Sequence, residues 1–223
     1  CFGGRLILVT GEHMVPGAVY RVLGQPQLRI GIDEIEEPNT SEPPGTAALY
    51  FRVSYPDGRV GSFGSTSNAR SEGIWKISRL EDREGNYIRY EYRKGSDGPE
   101  HLPQRIVYTI SPVTGPGYAS SDPGSREVAF EYEDRPVEDS YKVYRAMGQG
   151  GVGVYRRLKT IVTRANGAVV HRYRFSYTNP SITGRSQLVR LKKSDALDAC
   201  LPETDFVWSI GSPAPGYHVH ELP

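Results

Sequence analysis

Three tight-turn signals, each between segments of alternating polar and apolar residues, constrain this chain to antiparallel β-structure. They are Pro56-Asp57-Gly58, Arg83-Glu84-Gly85 and Asn166-Gly167. The first two predict three-residue hairpin loops with glycine in the left-handed conformation, and Asn-Gly predicts a two-residue type I′ turn. Helical periodicity is nearly absent, because no long stretch keeps apolar residues three and four positions apart. The sequence therefore predicts an all-β fold of antiparallel hairpins winding into a sheet.

The turns also predict which residues lie opposite each other on neighbouring strands. These pairs are Phe51 with Phe63, Leu80 with Ile88, Leu158 with Phe175, Thr160 with Tyr173, Val162 with His171 and Lys159 with Arg174. The last pair joins like charges, which is unfavourable unless carboxylates lie close by. We therefore expect at least one of Glu127, Glu131 and Glu133 to lie within ~4 Å of Lys159, Arg172 or Arg174.

Other strands and loops follow from alternation and from turn-forming residues. Strands are predicted near Arg5–Thr10, Leu28–Ile35, Arg105–Ile110, Arg126–Tyr132, Leu188–Lys192 and Asp205–Ser209. Loops rich in Pro, Gly and Ser are predicted at Glu36–Gly45, Ser111–Ser125 and Asp134–Gly153. Composition does not change enough along the chain to mark a boundary, so residues 1–223 are predicted to form a single β-domain.

The composition excludes several classes of protein. Charges nearly cancel, with 27 Lys+Arg against 26 Asp+Glu, so no overall basic field indicates nucleic acid. Apolar residues make up 37%, and 15 tyrosines, 25 glycines and 17 prolines suit short strands joined by turns. No apolar run approaches the ~18 residues of a membrane span. Cys1 and Cys200 are too few for a disulfide scaffold, and whether they pair stays open. The chain carries no signal peptide of its own, and its start at Cys1-Phe2-Gly3-Gly4 is expected to be a cut within a longer protein.

Two motifs are similar to known nucleotide-binding signatures. The run from Gly148 to Gly153, GQGGVG, matches the dinucleotide fingerprint, but that chemistry needs a strand before it and a helix after it. A strand is expected to follow instead, so the run is interpreted as a flexible loop. The Ser-Thr-Ser at Ser65–Ser67 and the Glu-x-Glu at Glu131–Glu133 resemble elements of arginine-specific ADP-ribosyltransferases. Glu131 and Glu133 fall in a predicted strand rather than a catalytic loop, so no catalytic residue is assigned.

The remaining candidates are ascribed to structure or to solvent-exposed surface. His218 and His220 would share one face of a strand, with Glu221 as the nearest acid, but a solvated tail is the better interpretation. The isolated His13, His101 and His171 suggest no ligand set. Basic residues alternate with aromatic ones in the RYRF and YRRLK runs, which could stack on single-stranded nucleic acid, yet balanced charge favours a solvated sheet face. We assign no catalytic, cofactor-binding or metal-ligating residue.

A longer series of motifs resembles the SpvB-type region of SpvB virulence proteins and of insecticidal toxin complex B components (TcB). The matching groups occur in the family's order along essentially the whole chain. They are Cys1-x-x-Gly4-Arg5-Leu6, Tyr20-Arg21, Phe51-x-Val53 with Asp57-Gly58 and Phe63-Gly64, Trp75 through Tyr92, Phe130-x-Tyr132-Glu133-x-Arg135-Pro136, Arg156-Arg157-Leu158 with Ile161, Tyr173 with Tyr177, Thr183-Gly184-Arg185-Ser186-x-Leu188, and Cys200-x-Pro202-x-Thr204-x-Phe206-x-Trp208. Departures are local: Phe2-Gly3, Phe63, Val137 in place of an acid, and the segment before Cys200.

The resemblance implies a fold and a role. It implies part of a β-shell related to YD/RHS repeats, in which strands wind around a toxic effector. The role implied is a non-catalytic scaffold in a secreted bacterial toxin, without cofactor. The implied partners are the remainder of the same toxin chain, a C-type toxin component, the enclosed effector and a translocation channel component. Two alternatives stay open: a free-standing β-sandwich module that binds carbohydrate or a surface protein, and an ADP-ribosyltransferase fragment.

Overall fold

The structure, a computed structural model, describes residues 4–35, 48–71, 73–95, 98–111, 124–144, 151–178 and 184–208. These residues form β-strands and two short 3-10 helices, at Ser67–Ala69 and Val137–Asp139. The strands are β1 (Leu6–Thr10), β2 (Val19–Val22), β3 (Gln25–Ile35), β4 (Ala48–Ser54), β5 (Val60–Phe63), β6 (Arg70–Ser71), β7 (Ile74–Trp75), β8 (Ile77–Glu81), β9 (Tyr87–Gly95), β10 (Gly98–Ile110), β11 (Arg126–Asp134), β12 (Tyr141–Tyr144), β13 (Gly151–Val154), β14 (Arg156–Ala165), β15 (Ala168–Thr178), β16 (Gln187–Asp195) and β17 (Thr204–Asp205).

Most of the strands belong to one large antiparallel sheet. Hydrogen bonds connect them in the order β1-β2-β3-β4-β5-β8-β9-β10-β11-β14-β15-β16-β17. The two-stranded ribbons β6–β7 and β12–β13 take up the places where the order skips. Strands that follow one another in sequence therefore lie side by side, as expected for a sheet that grows by successive hairpins. The all-β antiparallel fold predicted from the sequence is confirmed.

The two three-residue loops form as predicted. Tyr55 N donates to Arg59 O at 2.9 Å, and Asp82 N donates to Asn86 O at 2.9 Å. In each loop an aspartate side chain accepts backbone N–H bonds, which stabilises the turn without help from the sheet. The predicted opposite pairs are present: Phe51 with Phe63 and Leu80 with Ile88.

The turn between β14 and β15 also has the predicted geometry. β14 ends at Ala165 and β15 begins at Ala168, which leaves a two-residue loop. Asn166 has φ +50° and Gly167 has φ +77°, as a type I′ turn requires at both central positions. Gly85, in the second three-residue loop, has φ +86°. Left-handed backbone at these glycines sets the register of the strands on either side.

The chain divides into two compact units. The first comprises Cys1–Phe130 and Val162–Val170, and the second comprises Glu131–Ile161 and His171–Pro223. Three strands, β11, β14 and β15, contribute residues to both units. The expectation of a single β-domain over residues 1–223 stays a prediction.

The first unit has an aliphatic core on one face of its sheet. Side chains of β2, β3 and β4 alternate between buried and exposed, because successive residues of a strand point to opposite faces. The buried cluster consists of Ala18, Tyr20, Val22, Leu28, Ile30, Ile32 and Val53. Each large apolar side chain buried there contributes about 1.5–3 kcal/mol to folding.

The second unit relies on polar groups instead. Asp139 and Ser194 are 0% and 1% exposed, and Thr160 is 7% exposed. Among the described residues of this unit, no large apolar side chain is buried as deeply as those of the first unit. Buried polar groups must be hydrogen-bonded to be tolerated, so the bonding partners of these residues determine the local structure.

The structure corrects several predicted boundaries. Asp134–Gly153 was predicted to be a loop, but it contains the second 3-10 helix, β12 and the first residues of β13. The strand predicted at Asp205–Ser209 is the short β17, Thr204–Asp205, and Ser209 lies outside the described residues. The loops predicted at Glu36–Gly45 and Ser111–Ser125 fall mostly outside the described residues.

A glycine substitution tests the type I′ turn. Gly167→Ala introduces a Cβ into open space, so its only cost is left-handed backbone strain. We expect a loss of about 1–2 kcal/mol in the free energy of unfolding, measured by urea denaturation. Gly31→Ala is the matched control, because Gly31 lies in β3 without positive φ and its added Cβ would lie 4.0 Å from Ala18 O. Equal urea midpoints for the two variants would contradict the turn assignment.

Candidate functional site

Two side chains of the Ser-Thr-Ser segment, Ser65 and Thr66, form hydrogen bonds with nearby residues. Ser65 N donates to Ser78 Oγ at 3.1 Å, and the two serine hydroxyls are 2.5 Å apart. Thr66 Oγ1 donates to Asn68 Oδ1 at 2.7 Å, at the start of the first 3-10 helix. These bonds explain the segment as a turn that leads out of β5 toward the β6–β7 ribbon.

The Glu-x-Glu segment lies on a strand, as predicted. Glu131 and Glu133 are both in β11. Glu133 Oε1 lies 2.7 Å from Arg157 Nε, and Glu133 Oε2 lies 3.9 Å from Lys159 Nζ. We call Lys159, Arg172 and Arg174 the basic strip. The carboxylate predicted near this strip is therefore confirmed for Lys159, at the limit of the distance. Glu133 is engaged by two cations.

An aspartate that was not predicted from the sequence binds both arginines of the strip. Asp198 Oδ1 lies 2.7 Å from Arg174 Nη2 and 3.3 Å from Arg172 Nη1. The hydrogen bond from Arg174 lowers the pKa of Asp198, and the same bond raises the pKa of Arg174. The basic strip is thus offset from two sides, by Glu133 at Lys159 and by Asp198 at the arginines.

Glu127 has other partners than those predicted. It lies 3.3 Å from Arg105 Nη1 and 2.5 Å from Arg164 Nη1. Arg105 also binds Glu91, which in turn binds Arg89, so acids and bases alternate in a ladder across the sheet. Burial acts to lower the pKa of Arg105, but the two carboxylates outweigh it and raise that pKa. In this ladder each acid binds two bases, so the charges on these strands are largely paired. Its members are Arg89, Glu91, Arg105, Glu127 and Arg164.

The glycine-rich run does not have the context that a phosphate-binding loop needs. Gly148–Gly150 lie outside the described residues, and Gly151–Val154 form β13, so the prediction of a flexible loop is wrong for the second half of the run. β13 pairs with β12, with Gly153 opposite Lys142. The strand β14 follows at Arg156, where the dinucleotide fingerprint requires a helix.

The histidines provide no metal site in the described residues. His218 and His220 lie outside the described part. His13 Nδ1 is 3.1 Å from Tyr20 Oη, and His101 Nε2 is 2.5 Å from Asn68 O. The described residues contain no group of three or more His, Cys, Asp or Glu that could hold a metal ion. Nor does any helix in the described part of the chain have the length and apolar character to cross a membrane.

The most constrained polar group in the described chain is the carboxylate of Asp139. It is 0% exposed and lies at the end of the second 3-10 helix. Arg135 Nη1 is 2.7 Å from its Oδ2, and Ser186 N donates to its Oδ1 at 2.8 Å. The hydroxyl of Ser186 also donates to Oδ2. Both carboxylate oxygens are therefore bonded, and one partner carries a full positive charge.

A second layer of bonds surrounds this carboxylate. Arg157 Nη1 donates to Ser186 Oγ at 2.7 Å, while Arg157 Nε binds Glu133. Arg135 Nε donates to the backbone carbonyl of Arg156 at 3.0 Å. The network therefore joins β11, the start of β14 and the segment before β16. We call Glu133, Arg135, Asp139, Arg157 and Ser186 the Asp139 cluster.

Aromatic rings pack against the arginines of this region. The guanidinium of Arg157 lies 4.7 Å from the ring centre of Tyr177, and that of Arg185 lies 3.8 Å from the ring centre of Tyr141. Tyr177 Oη donates to the carbonyl of Leu158 at 2.6 Å. Cation–π contacts of this kind supplement the ion pairs where the guanidinium is partly removed from water.

The bonds made to Asp139 determine how strongly its carboxylate binds a proton. Burial acts to raise the pKa of Asp139, but the hydrogen bonds from Ser186 and the charge of Arg135 outweigh it and lower the pKa. The carboxylate is thus a weak base with every oxygen already bonded, which does not suit a general base. The Arg135-Pro136 and Gly184-Arg185-Ser186 motifs were visible in the sequence, but nothing in their spacing indicated Asp139.

Replacing the buried carboxylate tests the cluster. Asp139→Asn keeps the shape but directs an amide N–H₂ toward groups that are themselves donors. We expect a loss of about 2–4 kcal/mol in the free energy of unfolding, measured in urea at neutral pH. Asp134→Asn is the matched control, because Asp134 is 86% exposed and its ion pair with Arg156 is long, at 3.5 Å. This substitution is expected to lower the free energy of unfolding by less than about 0.5 kcal/mol.

The pH dependence of unfolding tests whether the charge of Asp139 is responsible for the effect of Asp139→Asn. The pKa of Asp139 is lower in the folded state, so its stabilisation is present above the unfolded value near 4 and is lost as the pH falls through the folded value. The difference in stability between the wild type and Asp139→Asn should therefore narrow as the pH is lowered below about 5. A difference that is independent of pH would show that the carboxylate charge is not responsible.

The strand β1 exposes apolar side chains on both of its faces. Leu6, Ile7, Leu8 and Val9 are 39%, 46%, 40% and 54% exposed, and β1 is an edge of the sheet order. At the other edge, the residues after β17 are also exposed: Phe206, Val207 and Trp208 are 38%, 97% and 50% exposed. An exposed apolar edge strand is uncommon in a free-standing domain, because it offers unpaired backbone groups to other chains.

Comparisons with known proteins relate this fold to two toxin structures. One is the crystal structure of TcdB2-TccC3-Cdc42, with a TM-score of 0.67 and 16% identity over 94% of this chain and 13% of that chain. The other is the N-terminal domain of the effector protein SpvB from Salmonella typhimurium strain LT2, with a TM-score of 0.59 and 12% identity over 86% of this chain and 74% of that chain. No protein-family model and no curated protein matches the chain. The resemblance predicted from the motifs is confirmed at the level of the fold.

Proposed function

We propose that this chain is a non-catalytic structural segment of a secreted bacterial toxin, in which it forms part of a β-shell around or beside a toxic effector. The observation that carries the proposal is β1, an edge strand with apolar side chains exposed on both faces. Such a strand becomes favourable when further strands and packing layers cover it. The similarity in fold to a toxin complex and to an effector domain supports the same role.

The partners follow from that role. The edge at β1 is suited to neighbouring strands of the same toxin chain, since backbone pairing needs no particular side chain. A C-type toxin component, an enclosed effector and a translocation channel component are the further partners we propose. The TcdB2-TccC3-Cdc42 structure supports this view, because its chain is much longer than the segment that matches here.

The alternative of a β-sandwich has less support. A sandwich packs two sheets of comparable size face to face. The described strands instead form one sheet of thirteen strands and two ribbons of two strands each. The alternative of a transferase fragment is weakened by the local bonds of Ser65, Thr66 and Glu133, because these side chains would have to hold NAD or activate the acceptor.

The edge can be tested by the association of the purified chain with itself. Lysines on both faces of β1, as in Ile7→Lys with Leu8→Lys, should prevent strand pairing at this edge. We expect the wild type to associate as its concentration rises in sedimentation velocity, and the variant to associate at least about tenfold more weakly.

The matched control for the edge is Leu197→Lys, since Leu197 lies in a turn and is 90% exposed. It should leave association unchanged. Thermal unfolding of all three proteins separates a loss of association from a loss of folding. A wild-type chain that stays monomeric at all concentrations would favour the free-standing module.

The non-catalytic role has its own test. Purified protein should show no NAD glycohydrolase or ADP-ribosyltransferase activity above that of Glu133→Gln, because Glu133 is held by Arg157 and Lys159 on a strand. Activity is measured as nicotinamide release and as transfer of labelled ADP-ribose. Turnover in the wild type that Glu133→Gln abolishes would contradict the structural role.

A further inference from the structure

Arginines line the exposed face of the sheet in the first unit. Arg21 lies opposite Arg29, and Arg79 lies opposite Arg89. Residues opposite each other on neighbouring strands share a face. Ser62 in β5 lies opposite Arg52 of β4 and opposite Arg79 of β8. Arg52 therefore shares the face of Arg79. We call Arg21, Arg29, Arg52, Arg79 and Arg89 the arginine track.

The track lies on the face opposite the core. Val22, Ile30 and Val53 are each next in sequence to an arginine of the track, and each is at most 2% exposed. Neighbouring residues of a strand point to opposite faces, so the guanidinium groups point away from the core. Arg21, Arg29 and Arg52 are exposed, and Arg79 and Arg89 are half-buried.

Carboxylates neutralise only one end of the track. Arg79 pairs with Glu81 at 2.6 Å, and Arg89 pairs with Glu91 at 2.9 Å. Arg21, Arg29 and Arg52 form no ion pair with a described carboxylate; the contacts of Arg21 are to the carbonyls of Pro26 and Leu28. Asp33, opposite Tyr50 on the same face, is hydrogen-bonded to Tyr50 and forms no ion pair with these arginines. The described structure therefore leaves three guanidinium groups without an ion pair, two of them directly opposite, which is unfavourable in the absence of an anion.

Small residues keep these arginines accessible. Gly31 lies opposite Arg52, and Ser54 lies opposite Arg29. The track crosses six hydrogen-bonded strands, from β2 to β9, which at ~4.8 Å per strand corresponds to about 24 Å. An extended peptide of seven or so residues, at ~3.4 Å per residue, spans that length. Its alternate side chains would face the sheet.

We propose that the arginine track binds an extended acidic segment of a partner protein. Guanidinium groups bind carboxylates in two-pronged geometry, and three of the five have no carboxylate of their own. Single-stranded nucleic acid is a poorer fit, because it requires aromatic rings on which bases stack. Tyr87, which shares this face, is covered by the guanidinium of Arg79 at 3.7 Å from the ring centre. Tyr50, on the same face, is partly buried and hydrogen-bonded to Asp33. The proposal does not depend on the β-shell role.

The test uses a labelled peptide and a matched pair of variants. A fluorescein-labelled decapeptide of alternating Glu and Thr is titrated with the 223-residue chain, and binding is followed by fluorescence anisotropy. We expect binding that weakens as salt is raised, and a loss of about tenfold in affinity in the triple variant Arg21→Gln, Arg29→Gln, Arg52→Gln.

The control variant is Lys94→Gln, Arg126→Gln, Lys142→Gln. These three residues are exposed bases outside the track, so the net charge changes by the same amount. Retained binding in the control with loss in the track variant supports the proposal, provided both unfold at the wild-type temperature. Equal loss in both variants would mean that only net charge matters and would overturn it. Absence of peptide binding to the wild type, or binding of a labelled oligothymidine but not of the peptide, would overturn it as well.

Discussion

Backbone hydrogen bonding between consecutive antiparallel strands is the interaction on which this fold depends. Thirteen of the described strands are joined edge to edge, and within this sheet each strand pairs with the sheet strands that come before and after it in the chain. Such a sheet needs little long-range information, because each hairpin turn positions the next strand. It also ends in two edges, and at β1 the residues exposed at the edge are aliphatic. A sheet built in this way can be extended by more strands at little cost, which is the physical basis of the role we propose.

The two units are stabilised by different kinds of buried group. In the first, Tyr20, Ile30, Val53 and their neighbours exclude water from one sheet face, and the energy comes from apolar burial. In the second unit, the most deeply buried group is the carboxylate of Asp139, and its contribution to stability depends on its bonding partners. A buried ion pair contributes little net stability compared with an apolar replacement, but it strongly penalises arrangements that leave either charge unpaired. The Asp139 cluster therefore serves to select one arrangement of Arg135 and Ser186.

The sequence was most informative where structure is local. Asn166-Gly167 and Arg83-Glu84-Gly85 predicted their turns correctly because glycine and asparagine tolerate left-handed backbone that other residues avoid. The strand β2 and the ribbon of β12 and β13 were not predicted, since short strands carry little alternation to detect. Asp139 and Asp198 could not be found from spacing, because each depends on a partner far away in sequence: Ser186 is 47 residues from Asp139, and Arg174 is 24 residues from Asp198. The Glu133–Lys159 contact was predicted from the like charges of Lys159 and Arg174, which required an acid nearby.

Among the described residues, charge on the sheet follows a simple rule. Where arginines come close together, an acid lies within reach: Glu127 binds Arg105 and Arg164 from different strands, and Asp198 binds Arg172 and Arg174, which are two residues apart on β15. Such alternation relieves repulsion and costs little, because each carboxylate serves two cations. The pair Arg21 and Arg29 breaks the rule, in a strand region whose other face is the best-packed part of the molecule. The free energy gained by burying this core outweighs the repulsion between Arg21 and Arg29 on the other face. The strands therefore stay paired although two positive charges lie opposite each other, as the proposed binding of an acidic segment requires.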